Sequence, residues 1–253
     1  MIDLPISAEA QSATPAFRKV AEQIAWQIER GEMPPGSRIP AERKLADQYG
    51  ISRMTARAAV EHLAQRGIVE RKDRSGTYVA QPKVRLSLST TAGLTDQFKG
   101  VGIIPGASLI QARTARASAV PSEVGAALEL GRQDRVHQVI RQRTGNGEPL
   151  VLEESYFPEQ CFPGLLAHDL TTYSVYGLLQ DQYGQRLQRF HQELELTQLG
   201  AARARALETR PDVMAFRVTR IAWNSSGIPV EFARDYYRGD RIVFTTAAAG
   251  RGE

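Results

Sequence analysis

The order of apolar and polar residues predicts a helix and then a loop near the start of the chain. A hydroxyl cap at Thr14, followed by Pro15, begins the helix, and Gly31 ends it. The run GEMPPGSRIP, rich in proline and glycine, then predicts a loop. The apolar positions of the helix recur every three or four residues, as in an amphipathic helix: Val20, Ile24, Ala25 and Ile28.

Two short helices and a hairpin are predicted next. AERKLADQYG ends at Gly50, and RMTARAAVEHLAQRG runs from a cap at Ser52 to Gly67. Two helices joined by a tight glycine-containing turn form a helix-turn-helix. The runs GIVERK and GTYVA predict a β-hairpin with its turn at 73–76, which would form a wing. The positions expected to pack the two helices together are Leu45, Ala46, Tyr49, Ile51, Ala56, Val60 and Leu63.

The pattern changes after residue 80. Residues 81–92 are polar and predict a linker that becomes a strand. Two similar stretches follow, EVGAALELGRQDRVHQVIRQRTGNGEPLVLEESYF and AARARALETRPDVMAFRVTRIAWNSSGIPVEFARDYY, each reading as helix, strand, turn and strand. The two copies predict one antiparallel sheet. Between them we expect a helix around Ser174–Gln182 and a strand around Leu187–Thr197.

The chain is therefore predicted to be an α+β protein of two domains, in keeping with its 253 residues. A winged helix-turn-helix at 14–80 is joined by the linker 81–92 to an antiparallel-sheet domain at 93–246. Residues 1–13 are expected to be a disordered arm, and residues 247–253 a tail.

Charge separates the two domains. The net charge is +4, and residues 15–82 carry 12 basic and 8 acidic side chains, so the whole excess lies in the first domain. This distribution favours nucleic-acid binding by that domain. No signal peptide or membrane span is indicated, and we expect a soluble, cytoplasmic protein. The single cysteine, Cys161, can form no internal disulfide and is interpreted as an apolar filler.

Polar side chains near the start of the second short helix are candidates for DNA contacts. Arg53, Thr55 and Arg57 lie off its apolar stripe, and a recognition helix contacts bases through its N-terminal residues. Arg43 and Arg38 are placed to contact the DNA backbone. Any one of these arginines could equally serve to keep a helix soluble, but the whole set, with a wing behind it, predicts DNA binding.

Alternation along the later strands brings charged side chains to common faces. Arg141 projects with Arg143, Glu153 with Ser155, and a third set lies in the last strand: Glu231, Asp235 and Tyr237. Paired arginines suit a phosphate or a carboxylate. The alternative is that these charges simply lie on a solvated face of the sheet, and spacing alone favours that alternative.

The first domain resembles a known family. The run PPGSRIPAERKLADQYGISRMTARAAVEHLAQRGIVERKDRSGTYVA is similar to the DNA-binding domain of the GntR family of bacterial regulators. The resemblance implies that five positions contact operator DNA, with the wing tip at Gly76 approaching the minor groove: Arg43, Arg53, Thr55, Arg57 and Gly76.

The second domain resembles the effector-binding UTRA domain of the HutC subfamily, whose fold is similar to that of chorismate lyase. The resemblance rests on GLTDQFKGVGIIPG, VIRQRTGNGEPLVLEESYFP, SVYGLL and GIPVEFARDYYRGDRIVF. It implies that Arg141 and Arg143 hold a phosphate. The loop Gly93-Leu94-Thr95 would cap this anion, although relatives usually have Ser-Phe-Thr there and Gly93 lacks the hydroxyl donor. The other pocket residues implied are Glu153, Ser174, Tyr176, Glu231 and Tyr237.

Together these features predict a ligand-responsive transcription regulator. We expect a homodimeric repressor that binds a palindromic operator and is released by a small anionic metabolite, such as a sugar phosphate or a carboxylate. The four histidines are scattered and no nucleophile motif is present, so no catalytic residue, metal or cofactor is expected. The alternatives are an enzyme of chorismate-lyase-like fold fused to a DNA-binding module, and a DNA-binding protein without a ligand.

Overall fold

A computed structural model describes residues 15–72, 75–90, 92–171 and 174–246. The chain divides into two compact units, an N-terminal unit that ends at Pro82 and a C-terminal unit that begins at Lys83. Several predicted features lie outside the described residues: the cap at Thr14, the turn residues Asp73 and Arg74, the arm 1–13 and the tail 247–253. No helix in the described ranges is long and apolar enough to cross a membrane.

The N-terminal unit consists of three helices and a hairpin: α1 (Ala16–Glu29), α2 (Glu42–Tyr49), α3 (Arg53–Gln65), β1 (Val69–Lys72) and β2 (Gly76–Val79). Its core confirms the predicted stripe of α1, where only Ile28 remains half-buried. Helix α1 begins at Ala16, one residue later than predicted, because Pro15 still has extended backbone angles and acts as the cap. Buried Ile39 and Val79, which the helix-turn-helix pattern did not include, close the core beneath the hairpin.

The turn between α2 and α3 has the predicted geometry. Gly50 ends α2 with φ +61°, in the left-handed region that favours glycine. The Ser52 hydroxyl then accepts a hydrogen bond from the backbone N–H of Thr55 (3.1 Å) and so caps α3. Both ends of the turn are therefore fixed by local chemistry, which sets the direction of α3.

The C-terminal unit is built around one six-stranded antiparallel sheet with the strand order β4-β5-β6-β9-β8-β7. Its strands are β3 (Val84–Ser87), β4 (Pro105–Arg116), β5 (Arg135–Gly145), β6 (Glu148–Pro158), β7 (Leu187–Gln198), β8 (Met214–Asn224), β9 (Pro229–Arg238) and β10 (Ile242–Thr245). Its α-helices are α4 (Leu94–Gly100), α5 (Ser122–Ala127), α6 (Val175–Tyr183) and α7 (Gly200–Ala206), and two short 3-10 helices lie at Ala117–Ala119 and Leu165–Ala167.

The internal duplication is visible in the sheet. The units β4-α5-β5-β6 and β7-α7-β8-β9 meet at the central antiparallel pair of β6 and β9, and each places its first strand at an edge. This confirms the predicted helix–hairpin copies and the strand predicted around Leu187–Thr197, which is β7, whereas the edge strand β4 was not predicted. Helices α5 and α7 cover one face of the sheet. Helices α4 and α6 pack on the other face, where the charged residues discussed below lie.

The segment predicted as a linker belongs largely to the C-terminal unit. Strand β3 pairs in parallel with β10, and Val84 and Leu86 are buried against α4. The Gln97 side chain of α4 accepts a hydrogen bond from the backbone N–H of Ser87 (3.0 Å) and donates one to the carbonyl of Ala92 (3.3 Å). The chain that leaves the N-terminal unit is thus tied directly to the helix that borders the charged face.

Candidate functional site

The N-terminal unit contains a cleft that we call the wing cleft. It is lined by residues of the loop before α2, of helices α2 and α3, and of the hairpin. Its lining includes four of the six residues predicted to contact DNA: Arg38, Arg43, Arg53 and Gly76. The three arginines are exposed and make no ion pair with any described residue. Their charge is therefore available to a polyanion such as the DNA backbone.

Two features favour glycine at position 76, at the start of β2. Its φ of +125° lies in a region that other residues rarely adopt. A Cβ atom there would also lie 2.7 Å from Nε of Arg38, whose backbone pairs with that of Tyr78. Gly76 thus lets the Arg38 guanidinium lie against the wing, a contact that the sequence pattern did not predict.

The N-terminal turn of α3 presents a mixed surface. Arg53 and Arg57 are exposed, whereas Thr55 is half-buried and its hydroxyl is hydrogen bonded to that of Ser52 (2.8 Å). Thr55 therefore has a structural role in the cap besides any contact with DNA. Met54 is 72% exposed and was missed by the sequence reasoning, although it also lies off the apolar stripe. An exposed apolar side chain at this position suits a thymine methyl group.

The C-terminal unit contains a second cleft, the sheet pocket, on the face of the sheet that carries α4 and α6. The nine residues predicted to bind an effector all line it: Leu94, Thr95, Arg141, Arg143, Glu153, Ser174, Tyr176, Glu231 and Tyr237. Arg141 and Arg143 are each only 4% exposed. The solvated-face alternative, which spacing alone favoured, is therefore wrong, because the helices cover this face.

A buried carboxylate joins the two arginines. Strand register places Arg141 directly opposite Glu153. Nη2 of Arg141 donates to Oε2 of Glu153 (2.6 Å), and Nη1 of Arg143 donates to Oε1 of the same carboxylate (2.9 Å). Nη2 of Arg143 also donates to the Thr95 hydroxyl (2.8 Å), and its Nε donates to the carbonyl of Gly106 (3.2 Å). Glu153 thus lies between the two guanidinium groups and neutralises one of their two charges.

The two guanidinium groups keep Glu153 ionised. Burial would raise the pKa of this carboxyl, but the charges and hydrogen bonds of Arg141 and Arg143 outweigh burial and lower the pKa to about 2. The three side chains therefore form a fixed unit with a net charge of +1. This unit presents a positive wall to the sheet pocket.

A second charged group borders the other side of the pocket. The Tyr176 hydroxyl donates to Oε2 of Glu231 (2.6 Å). Arg220 donates to the same oxygen (3.4 Å) and to Oδ2 of Asp235 (3.2 Å). Arg220 was not predicted from the sequence, although the internal duplication could have indicated it. The Arg220–Ala233 pair of β8 and β9 corresponds to the Arg141–Glu153 pair of β5 and β6, about eighty residues earlier, so Arg220 occupies the position of Arg141 in the second copy.

Titration behaviour distinguishes these groups. Burial raises the pKa of Asp235 to about 7, although Arg220 acts in the opposite direction. Burial also raises the pKa of the Tyr176 hydroxyl well above its ordinary value, so Tyr176 remains a hydrogen-bond donor. At neutral pH the sheet pocket thus has three guanidinium groups and fewer than three full negative charges from its carboxyls.

Gly93, where the resemblance led us to expect a serine, lies close to the side chains of Ser174 and Tyr176. A Cβ atom at this position would lie 3.2 Å from Cδ2 of Tyr176 and 3.7 Å from the Ser174 hydroxyl. A serine here would therefore press against the Tyr176 ring. Gly93 is the cap of α4, and Leu94 and Thr95 lie in the first turn of that helix, so the segment predicted as a loop is the start of a helix.

Other candidate chemistry carries less weight. The described part of the chain contains no group of three or more His, Cys, Asp or Glu side chains that could hold a metal ion. Cys161 is half-buried beside an apolar cluster, and burial raises the pKa of its thiol. Such a thiol is a poor nucleophile.

A winged helix-turn-helix with unpaired arginines, followed by a sheet domain with a buried polar pocket, defines a ligand-responsive DNA-binding regulator. Residues 17–79 match the model of the "Bacterial regulatory proteins, gntR family", and residues 102–243 match that of the UTRA domain. The chain belongs to the GntR family, and its UTRA domain places it with the HutC-type regulators. It is a transcription regulator and not an enzyme.

Individual relatives agree with this assignment. The chain is 31% identical to the HTH-type transcriptional repressor NagR of Bacillus subtilis over 234 residues, covering 92% of this chain and 95% of that protein. It is 30% identical to the histidine utilization repressor of Pseudomonas putida, over 67% of each chain. Its fold matches the crystal structure of PhnF from Mycobacterium smegmatis with a TM-score of 0.64 and 26% identity, covering 93% of this chain and all of that one.

Proposed function

We propose that this regulator is a homodimeric repressor that binds a palindromic operator through the wing cleft. A small anionic metabolite in the sheet pocket, such as a sugar phosphate or an amino-sugar phosphate, would release it. Relatives over most of the chain are named repressors, which supports the direction of control. The convergence of Arg141, Arg143 and Thr95 in one buried pocket carries the proposal for the effector.

Arg143 still has donors to offer an anion. A guanidinium group carries five N–H donors. Three hydrogen bonds of Arg143 connect it to described residues, one each to Glu153, Thr95 and Gly106. Two N–H groups thus remain for a ligand, and the Thr95 hydroxyl next to them can turn towards it. An effector phosphate or carboxylate would bind beside Glu153 rather than replace it.

The proposed switch passes through α4. An anion that engages Thr95 would shift or order the first turn of α4, and Gln97 connects this helix to Ser87 of β3. Strand β3 directly follows the N-terminal unit in the chain. Ligand binding and operator binding would then be coupled through this segment. Reciprocity requires operator DNA to weaken effector binding by the same factor as the effector weakens operator binding, at a typical coupling of about 1–3 kcal/mol.

A thermal-shift screen tests the effector proposal. Phosphorylated sugars, amino-sugar phosphates and small carboxylates are added to the full chain, because a ligand of the folded state raises its apparent stability. Arg143→Gln should lose the shift. Arg217→Gln should retain it, since Arg217 pairs with Glu195 on the opposite face of the sheet. If Arg143→Gln leaves the shift unchanged, the effector binds outside the sheet pocket. If no ligand shifts the melting temperature of the unaltered protein, the result favours the alternative of a DNA-binding protein without a ligand.

Assembly is tested separately. A palindromic operator implies a protein with twofold symmetry. We expect light scattering to show a dimer of the full chain, and to show a dimer still after deletion of residues 1–80, because the C-terminal unit would supply the contact. A monomeric fragment at micromolar concentration would contradict that assignment of the interface.

A further inference from the structure

Asp235 is a buried carboxyl on β9, on the face of the sheet that carries the sheet pocket. Strand register places it directly opposite Glu153, which in turn stands opposite Arg141. Asp235 is 1% exposed, as is Glu231, four residues earlier on the same face of β9. The charged and titratable groups around it come from β5, β6, β8, β9 and α6: Arg141, Arg143, Glu153, Arg220, Glu231, Tyr237 and Tyr176.

The two oxygens of Asp235 differ in their surroundings. Oδ2 accepts a hydrogen bond from Nη2 of Arg220 (3.2 Å). Oδ1 is fully buried and has no hydrogen-bond partner among the described residues. A charged oxygen without a partner is costly in a buried position, whereas a protonated one is tolerated far better. The geometry therefore favours a proton on Oδ1.

The charge balance of the pocket leads to the same conclusion. Three guanidinium groups face three carboxyl groups: those of Arg141, Arg143 and Arg220, and those of Glu153, Glu231 and Asp235. With every group ionised the pocket is neutral, and a bound anion would leave it with net negative charge away from water. A proton on Asp235 restores a positive charge for that anion to meet.

We infer that Asp235 takes up a proton when an anion enters the sheet pocket, so that the regulator binds its anionic effector together with a proton. This inference rests on the anionic effector proposed above. The protonation state of Asp235 then determines whether the sheet pocket accepts an anion. Asp235 has this effect although it is not among the residues that line the pocket.

The raised pKa of Asp235 makes the proton uptake measurable near neutral pH. Burial already raises the pKa of Asp235 to about 7 without a ligand, and a nearby anion raises it further. Asp235 is mostly protonated before binding at pH 6, so little proton is taken up there. At pH 8 it is mostly ionised before binding, and uptake approaches one proton. Affinity should accordingly fall by up to tenfold for each pH unit above neutrality.

Inorganic sulfate is a suitable probe, because its charge stays constant between about pH 6 and pH 9, unlike that of phosphate. Its binding to the full chain is measured by titration calorimetry at pH 6, 7 and 8, in pairs of buffers with different ionisation enthalpies. The dependence of the heat on the buffer gives the number of protons taken up by the unaltered protein. We expect that number to rise from near zero to near one, with sulfate binding up to about tenfold weaker at pH 8 than at pH 7.

Variants assign the proton and the site. Asp235→Asn, which cannot ionise, should make sulfate affinity nearly independent of pH and abolish the uptake. The exposed Asp181→Asn should behave like the unaltered protein. Two results would overturn the inference about Asp235 and leave the anion site standing. One is sulfate binding that depends on Arg143 but takes up no proton, and the other is proton uptake that is unchanged in Asp235→Asn. Sulfate binding that Arg143→Gln leaves intact overturns both the anion site and the inference.

Discussion

The two units use arginine in opposite ways. In the N-terminal unit Arg43, Arg53 and Arg57 are exposed and have no charged partner among the described residues. In the C-terminal unit Arg141 and Arg143 are buried and share the carboxylate of Glu153. The first arrangement costs little to maintain and suits an extended polyanion that brings its own counter-charge. The second requires a built-in partner and suits a small ligand that enters a largely buried pocket with fixed charges.

The contrast predicts where each unit is sensitive to change. Removing an exposed arginine should alter binding and leave the fold intact, because nothing in the unit depends on that charge. Removing the carboxylate that the buried arginines share should destabilise the fold itself, since both guanidinium groups are then left buried without it, whereas removing one arginine leaves the other paired with Glu153. Stability and binding measurements on matched variants can therefore test the comparison from both sides.

The largest expected effect is that of Glu153→Gln on stability. The change leaves Arg141 and Arg143 buried without their shared carboxylate, which should cost about 3–5 kcal/mol of unfolding free energy. Urea denaturation of the C-terminal unit measures the loss. Glu195→Gln is the matched control, because Glu195 is half-exposed and pairs with Arg217. A loss below about 1 kcal/mol in Glu153→Gln would mean that burial does not distinguish this ion-paired group from the exposed pair of Glu195 and Arg217.

The same carboxyl predicts a dependence on acid. The pKa of Glu153 is lowered from an ordinary 4.5 to about 2, so its stabilising contribution is complete above pH 4.5 and is lost as the pH falls towards 2. Acid denaturation of the unaltered protein should include this loss. Glu153→Gln, which has no such carboxyl, should lose less stability over that range.

A smaller effect is expected for Arg53→Ala on operator binding. Arg53 lies at the start of the recognition helix and is exposed, so its loss should cost about 1–3 kcal/mol of specific binding and relax the preference at one base pair. Thermal stability should stay unchanged. Arg66→Ala removes an equal charge at the far end of the same helix and serves as the control. Equal losses in both variants, measured by fluorescence anisotropy, would indicate a general charge effect instead of a base contact.

The sequence predicted the N-terminal unit better than the sheet pocket for a physical reason. Helix periodicity, the Ser52 cap and the Gly50 turn all depend on neighbours within a few residues, so the pattern contains them. The pairing of Arg141 with Glu153 depends on strand register, and the contact of Arg220 with Asp235 on a second hairpin. Whether these faces are solvated or covered depends on α4 and α6, which lie far from them in the chain. Spacing alone could therefore show which residues share a face but not that the face is buried.

The smallest expected effect concerns an exposed arginine–glutamate pair. It gives the strictest comparison with the buried group around Glu153, because the residue types are the same and only their burial differs. Arg217 and Glu195 form an arginine–glutamate pair across β8 and β7 of the same sheet, with 37% and 53% of their side chains exposed. A double-mutant cycle with Arg217→Ala and Glu195→Ala should give a coupling of about 0.2–1 kcal/mol, decreasing as salt is added, because water and ions screen the exposed pair. The single variants should each unfold within about 1 kcal/mol of the unaltered protein, since neither leaves a buried charge behind. A coupling of several kcal/mol that persists in high salt would show that an exposed pair in this sheet behaves like the buried one, and the distinction drawn between the two kinds of arginine would then fail.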